Sequence, residues 1–222
     1  MTASDNPGRA AILERIRAGL RVPAAETTTS GPVAYSTMFE PVTNPLERFQ
    51  QEAKANLMEC LLTNDAPGSA QELARVLEPL PPGEIFVQDH PSLRRLVELS
   101  QTGRAVRWSS QGAPSEASQA TVTLVEALIA QTGSIFVTAA CGGRGASVVA
   151  PCHIAVASVS QLVPDLETAL ANASRQGILA QNSFACVISG SSRTADIEKI
   201  LVQGAHGPRR LVVILQRGGT TD

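Results

Sequence analysis

Ile188-Ser189-Gly190-Ser191-Ser192-Arg193-Thr194-Ala195-Asp196-Ile197-Glu198, followed by Gly204-Ala205-His206-Gly207-Pro208, is the stretch on which the fold turns. It reads as the end of a buried strand, a hydroxyl-rich turn, the start of a helix over Arg193–Val202, and a second glycine-bearing turn. A strand feeding a helix through a short polar turn is the unit of an α/β fold. The turn also concentrates chemistry. Ser189, Gly190, Ser191, Ser192, Arg193, Thr194 and Asp196 place backbone N–H groups, hydroxyls, a guanidinium and a carboxylate within a few residues. Unpaired N–H groups and the dipole at a helix start attract anions, and in open α/β sheets ligands bind beyond the carboxyl ends of strands. Capping alone needs one hydroxyl, and this turn has four, so it is expected to face a small anionic ligand.

The rest of the chain keeps the same rhythm. Asn44-Pro45 opens a helix with the stripe Leu46, Phe49, Ala53 and Leu57. Strands are expected at Met58–Thr63, Glu84–Gln88, Arg104–Trp108, Ser134–Ala139, His153–Val159, Phe184–Ser189 and Leu211–Leu215. Helices are expected from Ser69, as cap, to Leu80, over Pro91–Leu99, and from Pro164-Asp165 through Ala173. Short apolar runs alternating with amphipathic helices predict a mostly parallel sheet with helices on both faces. Before this domain, at 45–222, stands an arm at 1–44. It holds a helix over about Pro7–Leu20 and a Pro- and Thr-rich linker over Val22–Thr43 that includes Thr27-Thr28-Thr29-Ser30-Gly31-Pro32.

Composition narrows the function classes. The 222 residues are 43% hydrophobic, 17% charged and only 3% aromatic, with a net charge of −2. That excludes a basic nucleic-acid footprint and the stacking platform of a single-strand binder. No apolar run is long enough to span a bilayer, and the charged N-terminus lacks a signal-peptide core, so a cytoplasmic, membrane-free protein is expected. Cys60, Cys141, Cys152 and Cys186 form no C-x-x-C pair, and His90, His153 and His206 no H-x-x-x-H pair. No metal site is therefore expected in this chain.

Two further turns are candidates for ligand contact. In Gln131-Thr132-Gly133-Ser134 a glycine free to take positive φ can bring N–H groups and two hydroxyls to a carboxylate or phosphate. In Gly142-Gly143-Arg144-Gly145 an arginine between glycines can lay its guanidinium on an anion. Neither matches a nucleotide phosphate loop. His153 or His206 beside a carboxylate such as Asp196 would make an acid–base couple.

The ordered set Gln131–Ser134, Pro151-Cys152-His153-Ile154-Ala155-Val156, Val163-Pro164-Asp165-Leu166, Ser189–Glu198 and Gly204–Pro208 resembles the lactate-utilisation protein C family, built on the LUD domain. The resemblance is specific over about 120–216 and looser over 45–119. It implies a fold like that of the sugar-phosphate isomerase and coenzyme A transferase superfamily. It also implies a part in oxidising L-lactate to pyruvate, with iron–sulfur clusters carried by two partner proteins and no cofactor in this chain. The family has Glu where this chain has Gln131, which removes an acid, base or nucleophile at that position. Three functions follow for comparison: a non-redox subunit binding a small anion, a free-standing acyl-transfer or isomerase-type enzyme, and an assembly or regulatory module. The anion site would comprise Gln131, Thr132, Gly133, Ser134, Arg144, Ser189–Thr194, Asp196 and His206.

Overall fold

A computed structural model describes residues 7–21, 40–194, 202–203 and 207–218. The chain divides into two units, 1–40 and 41–222. In the first, α1 (Pro7–Arg21) is a helix that exposes Ile12 and Ile16. Most of the expected Val22–Thr43 linker lies outside the described residues.

The second unit opens with α2 (Pro45–Ala55). Asn44 caps it by accepting from Glu47 N, Pro45 supplies the preset φ, and Phe49 and Ala53 form its buried stripe. There follow β1 (Glu59–Thr63), α3 (Ala66–Leu77), β2 (Ile85–Val87), α4 (Pro91–Ser100), β3 (Val106–Trp108), β4 (Ala120–Leu124), β5 (Ala127–Ile129), β6 (Ser134–Thr138), β7 (Cys152–Ser158), β8 (Leu162–Val163), α5 (Leu166–Arg175), α6 (Ile178–Gln181), β9 (Ala185–Ile188), β10 (Arg193–Thr194), β11 (Val202–Gln203) and β12 (Arg210–Gln216). Six strands form one sheet in the order β1-β12-β7-β4-β2-β3, and every neighbouring pair is parallel. The expected α/β class with a parallel sheet is what the chain adopts.

Both faces of the central strands are buried, so β7 and β12 are largely apolar. Ile154, Val156, Val212 and Ile214 point to one face and pack on α3 and α4 through Leu73, Val76, Leu93 and Leu96. Ala155, Ala157, Leu211, Val213 and Leu215 point to the other and pack on Phe49 and Ala53 of α2 and on Leu128, Ile135 and Val137. Those last three belong to a second sheet, β8-β5-β6-β9, in which β6 runs antiparallel to both β5 and β9. Its outer face, Ala127, Ile129 and Phe136, is closed by Ala169 and Ala173 of α5. One face of the parallel sheet is thus covered by helices, and the other by a helix and a sheet.

Several expectations are corrected. β4, in the middle of the parallel sheet, and β5 were absent from the sequence reading. Thr121 and Thr123 interrupt the apolar run of β4 with hydroxyls, yet both are buried. Ser69 is not a cap. Asp65 caps α3 by accepting from Gly68 N at 2.8 Å, and Ser69 is buried inside the helix, which ends at Leu77. Arg193 does not start a helix: Arg193–Thr194 pairs antiparallel with Val202–Gln203, and the positions between lie outside the described residues. A hydroxyl-rich run can cap a helix or turn a ribbon, and the sequence pattern did not separate them.

Candidate functional site

Strand direction gives the parallel sheet two rims. At the amino rim, α2 ends in Asn56 and turns into β1, while Pro208 and Arg209 lead into β12. The Gln131 turn docks here as a single 3-10 turn over Ala130–Thr132 with Gly133 left-handed at φ 58°. A Cβ on Gly133 would lie 2.3 Å from Ala53 N, so the glycine exists to let this turn meet the α2 backbone. Asn56 Nδ2 donates to Thr132 O at 2.8 Å and Gln131 N to Pro164 O at 2.9 Å. Antiparallel pairing of Ile135 with Ile188 brings the Ser189 turn alongside. The hydroxyls of Thr132, Ser134 and Ser189 then form a chain with 2.7 Å between successive oxygens. Gly190, at φ 105°, approaches Asn56 O so closely that a Cβ would lie 2.2 Å away.

The second distinctive motif reaches the same place. Ser192 N donates to Pro208 O at 2.9 Å, and Gly207 lies against Ser192. Ser191 is 7% exposed, and its Oγ has no hydrogen-bond partner among the described residues. Gln131, Thr132, Gly133, Ser134, Ser189, Gly190, Ser191 and Ser192 therefore share one rim. Asp196 and His206 lie outside the described residues, as do the side chains of Arg193 and Thr194.

Arg144 is elsewhere. β6 carries the chain from Ser134 at the amino rim to Thr138 at the carboxyl rim, on the order of 15 Å away at about 3.3 Å per residue. There the Gly142–Gly145 loop borders an open cavity of about 350 Å3 with Ser109, Gly112 and Pro114, and Arg144 Nη2 donates to Ser183 O at 3.1 Å. The expectation that the Thr132, Arg144 and Ser189 turns share one pocket is not met. Nor does the Ser189 turn lie beyond the carboxyl end of a parallel strand, because β9 belongs to the second sheet and ends at the amino rim.

The titratable groups sort themselves by environment. His153 on β7 is fully buried, and its Nε2 meets Thr123 Oγ1 at 2.9 Å. Its Nδ1 has no partner, and burial pushes its pKa down to about 4. It is a neutral core imidazole and not half of a histidine–carboxylate couple. Thr121, its cross-strand neighbour, also has an unpartnered hydroxyl. Burial raises the thiols of Cys60, Cys141 and Cys152 to about 11, so at neutral pH they are protonated. Glu126, the carboxylate nearest the Gln131 motif in sequence, sits at the carboxyl rim and accepts from Thr138 Oγ1 at 2.6 Å. Among the described residues no group of three His, Cys, Asp or Glu is placed to hold a metal, and no helix is long and apolar enough to cross a membrane.

Apart from Arg144 and its glycine loop, sequence reasoning passed over the carboxyl-rim residues. Gln88, just after β2, accepts from Leu124 N and donates to Ala140 O, tying two strands to the glycine loop. The one available signal was a long polar residue placed directly after an apolar run.

Comparison with known proteins places these features in a family. A model of the LUD domain matches residues 46–216. Lactate utilization protein C 1 of Bacillus mycoides is 34% identical over 97 residues, a stretch covering 42% of this chain and 42% of that protein. The uncharacterized protein YkgG of Escherichia coli is 29% identical over 170 residues, covering 72% of this chain and 73% of its own length. The crystal structure of a DUF162 family protein from Deinococcus radiodurans superposes with a TM-score of 0.56 at 17% identity, covering 83% of this chain and 99% of that one. That likeness speaks for the fold, and the family model, which runs from α2 to the end of β12, speaks for descent: the chain belongs to the LUD-domain family.

Proposed function

We propose that this chain serves lactate utilisation as the non-redox subunit of a system oxidising L-lactate to pyruvate, and that it holds a small carboxylate at the amino rim. Several relatives in the family bear the name lactate utilization protein C, which supports the process. The observation that carries the site is the meeting of Ser192 N with Pro208 O, which sets two motif turns side by side, next to the unpartnered buried hydroxyl of Ser191. A buried hydroxyl without a partner is costly and invites a ligand oxygen. Gln131, Thr132, Gly133 and Ser134 stand at the same rim, with Ser134 joined to Ser189, and Arg193, Thr194, Asp196 and His206 belong to the same two motifs in sequence. Electrons would pass through iron–sulfur partner proteins in the cytoplasm, with no cofactor in this chain. The acyl-transfer alternative would need a nucleophile in place of the Gln131 amide, and Glu126 is engaged with Thr138 at the other rim.

The test is growth on L-lactate by cells deleted for the native gene and complemented with variants. Arg193→Ala and Ser191→Ala should each abolish or strongly slow growth, with purified proteins that melt as the native chain does. Normal growth of both variants removes the amino rim from the function.

A further inference from the structure

Three buried side-chain atoms have no hydrogen-bond partner among the described residues: Thr121 Oγ1, His153 Nδ1 and Ser191 Oγ. All three stand at the amino rim. Thr121 and His153 are cross-strand partners in the second positions of β4 and β7. Leu211, the partner of His153 on β12, follows Pro208 by three residues, and Pro208 O holds Ser192 N. The Ser191 turn therefore stands on the order of 10 Å below the level of His153 along the strands, at about 3.3 Å per residue.

They also share a side of the sheet. Val122 and Ile154 point to the α3–α4 face. Alternation turns Thr121, Thr123 and His153 the opposite way, with Ala155, toward the layer to which β9 and the Ser191 turn belong. A buried polar atom left unpaired is costly, and bulk water does not serve Thr121 and His153, which are fully buried. One such atom is a local accident of packing. Three at one rim and on one side mark a place built for something else to bind.

The inner pair is uncharged. Among the described residues no Asp, Glu, Lys or Arg is buried, and burial keeps the His153 imidazole neutral at pH 7. A charge brought to this depth would find no counter-charge, whereas a neutral oxygen needs none. The pair is also indifferent to whether that oxygen donates or accepts. The contact of Thr123 Oγ1 with His153 Nε2 at 2.9 Å works in either direction, because the hydroxyl rotates. When Thr123 donates, Nδ1 carries the imidazole proton; when Thr123 accepts, Nδ1 presents a lone pair. Thr121 Oγ1 likewise gives or takes. Such a pair suits both a hydroxyl and the carbonyl that the hydroxyl becomes on oxidation.

We propose that the amino-rim site extends inward to Thr121 and His153, which hold the uncharged C2 oxygen of a 2-hydroxy or 2-oxo acid whose carboxylate lies at Ser191. This assignment rests on the proposed carboxylate site at Ser191, and it adds the contact that would separate a hydroxy acid from a plain carboxylic acid.

Calorimetric titration of the full purified chain tests this with two probes: L-lactate, and propionate, which has the same carboxylate and carbon count but no C2 oxygen. The native chain is expected to bind L-lactate about tenfold more tightly. Thr121→Val should lose most of that preference while holding propionate as the native chain does. It removes a hydroxyl that has no partner and keeps the shape, so it should melt no lower than the native chain. The imidazole nitrogen resonances of His153 should move on adding L-lactate and stay in place with propionate. Equal native affinity for the two acids overturns the assignment and leaves the carboxylate site standing. A preference undiminished in Thr121→Val overturns it as well. If neither acid binds, the carboxylate site falls and this assignment falls with it.

Discussion

The two rims of the parallel sheet are built from different residue types for different ends. At the amino rim the motif turns consist of glycines and short hydroxyls, beside the Glu59–Arg210 ion pair at the starts of β1 and β12. Gly133 and Gly190 admit the α2 backbone at distances no Cβ tolerates, and Thr132, Ser134 and Ser189 satisfy one another in a chain of hydroxyls. At the carboxyl rim the parts are longer: Arg95 and Gln216 line one cavity, Arg144 lines another, and Gln88, Arg94 and Glu126 are engaged in hydrogen bonds. Tight backbone approach demands particular residues at particular positions, so it writes a dense motif into the sequence. Free hydrogen-bonding capacity demands only that a long side chain end near open space, and it leaves almost no motif.

The sharpest way to break this contrast is to put the same methyl group on a glycine at each rim. Gly190→Ala must adopt φ 105° and place its Cβ 2.2 Å from Asn56 O, so the α2 end and the Ser189 turn have to separate. Strain and overpacking together should cost about 3–5 kcal/mol. Gly143→Ala has a comparable φ of 91° but nothing within 4 Å, and should cost about 1–2 kcal/mol, from backbone strain alone. Urea unfolding midpoints of the two variants measure the difference. Equal losses would mean that close approach does not hold the amino rim together.

The buried imidazole below the motif turns gives a somewhat smaller effect and a definite pH window. His153 has a folded pKa of about 4 against an ordinary value of 6.5. The unfolded chain therefore binds a proton that the folded chain refuses between those values. Stability is fully present above about pH 6.5, falls as the pH drops through this window, and levels off below about pH 4 as far as this group is concerned. Two and a half pH units correspond to about 3 kcal/mol. His153→Gln should flatten that part of the stability profile while lowering stability at pH 7. An unchanged slope between pH 6.5 and 4 would show that the imidazole titrates freely.

Legibility followed the local physics. α2, α4 and α5 were read from caps and prolines within a few residues of their starts: Asn44-Pro45, Pro91 and Pro164-Asp165. Strands β1, β2, β7 and β12 announced themselves as apolar runs, because a strand covered on both faces has no polar positions to interrupt it. β4 did not, since Thr121 and Thr123 face a polar pocket around His153 that no local pattern discloses. β6 and β9 were read as strands, but not as members of a second sheet, since their pairing of Ile135 with Ile188 joins segments more than fifty residues apart. The glycine turns at 133 and 190 were legible as special backbone. Their purpose, contact with α2, depends on a helix some 80 residues away from the first and over 130 from the second. Arg95 and Gln216 carried no signal beyond their type, and only the crossover of the β1–β2 connection brings them together.

The smallest expected effect is also the one that separates the rims most cleanly. Arg144 belongs to a glycine-rich loop that the sequence marks less strongly than the Ser189 turn, and the length of β6 stands between them. Its guanidinium is exposed and donates a single bond of 3.1 Å to Ser183 O. An exposed arginine with one such bond contributes little, so Arg144→Ala should change stability by less than about 0.5 kcal/mol. It should also leave growth on L-lactate at the native rate in the strain where Arg193→Ala fails, because a guanidinium on the order of 15 Å away cannot touch a small carboxylate held against Ser191. Loss of growth with Arg144→Ala and unaltered melting would mean that the working ligand sits at the glycine loop, and that the motif-rich rim is scaffold.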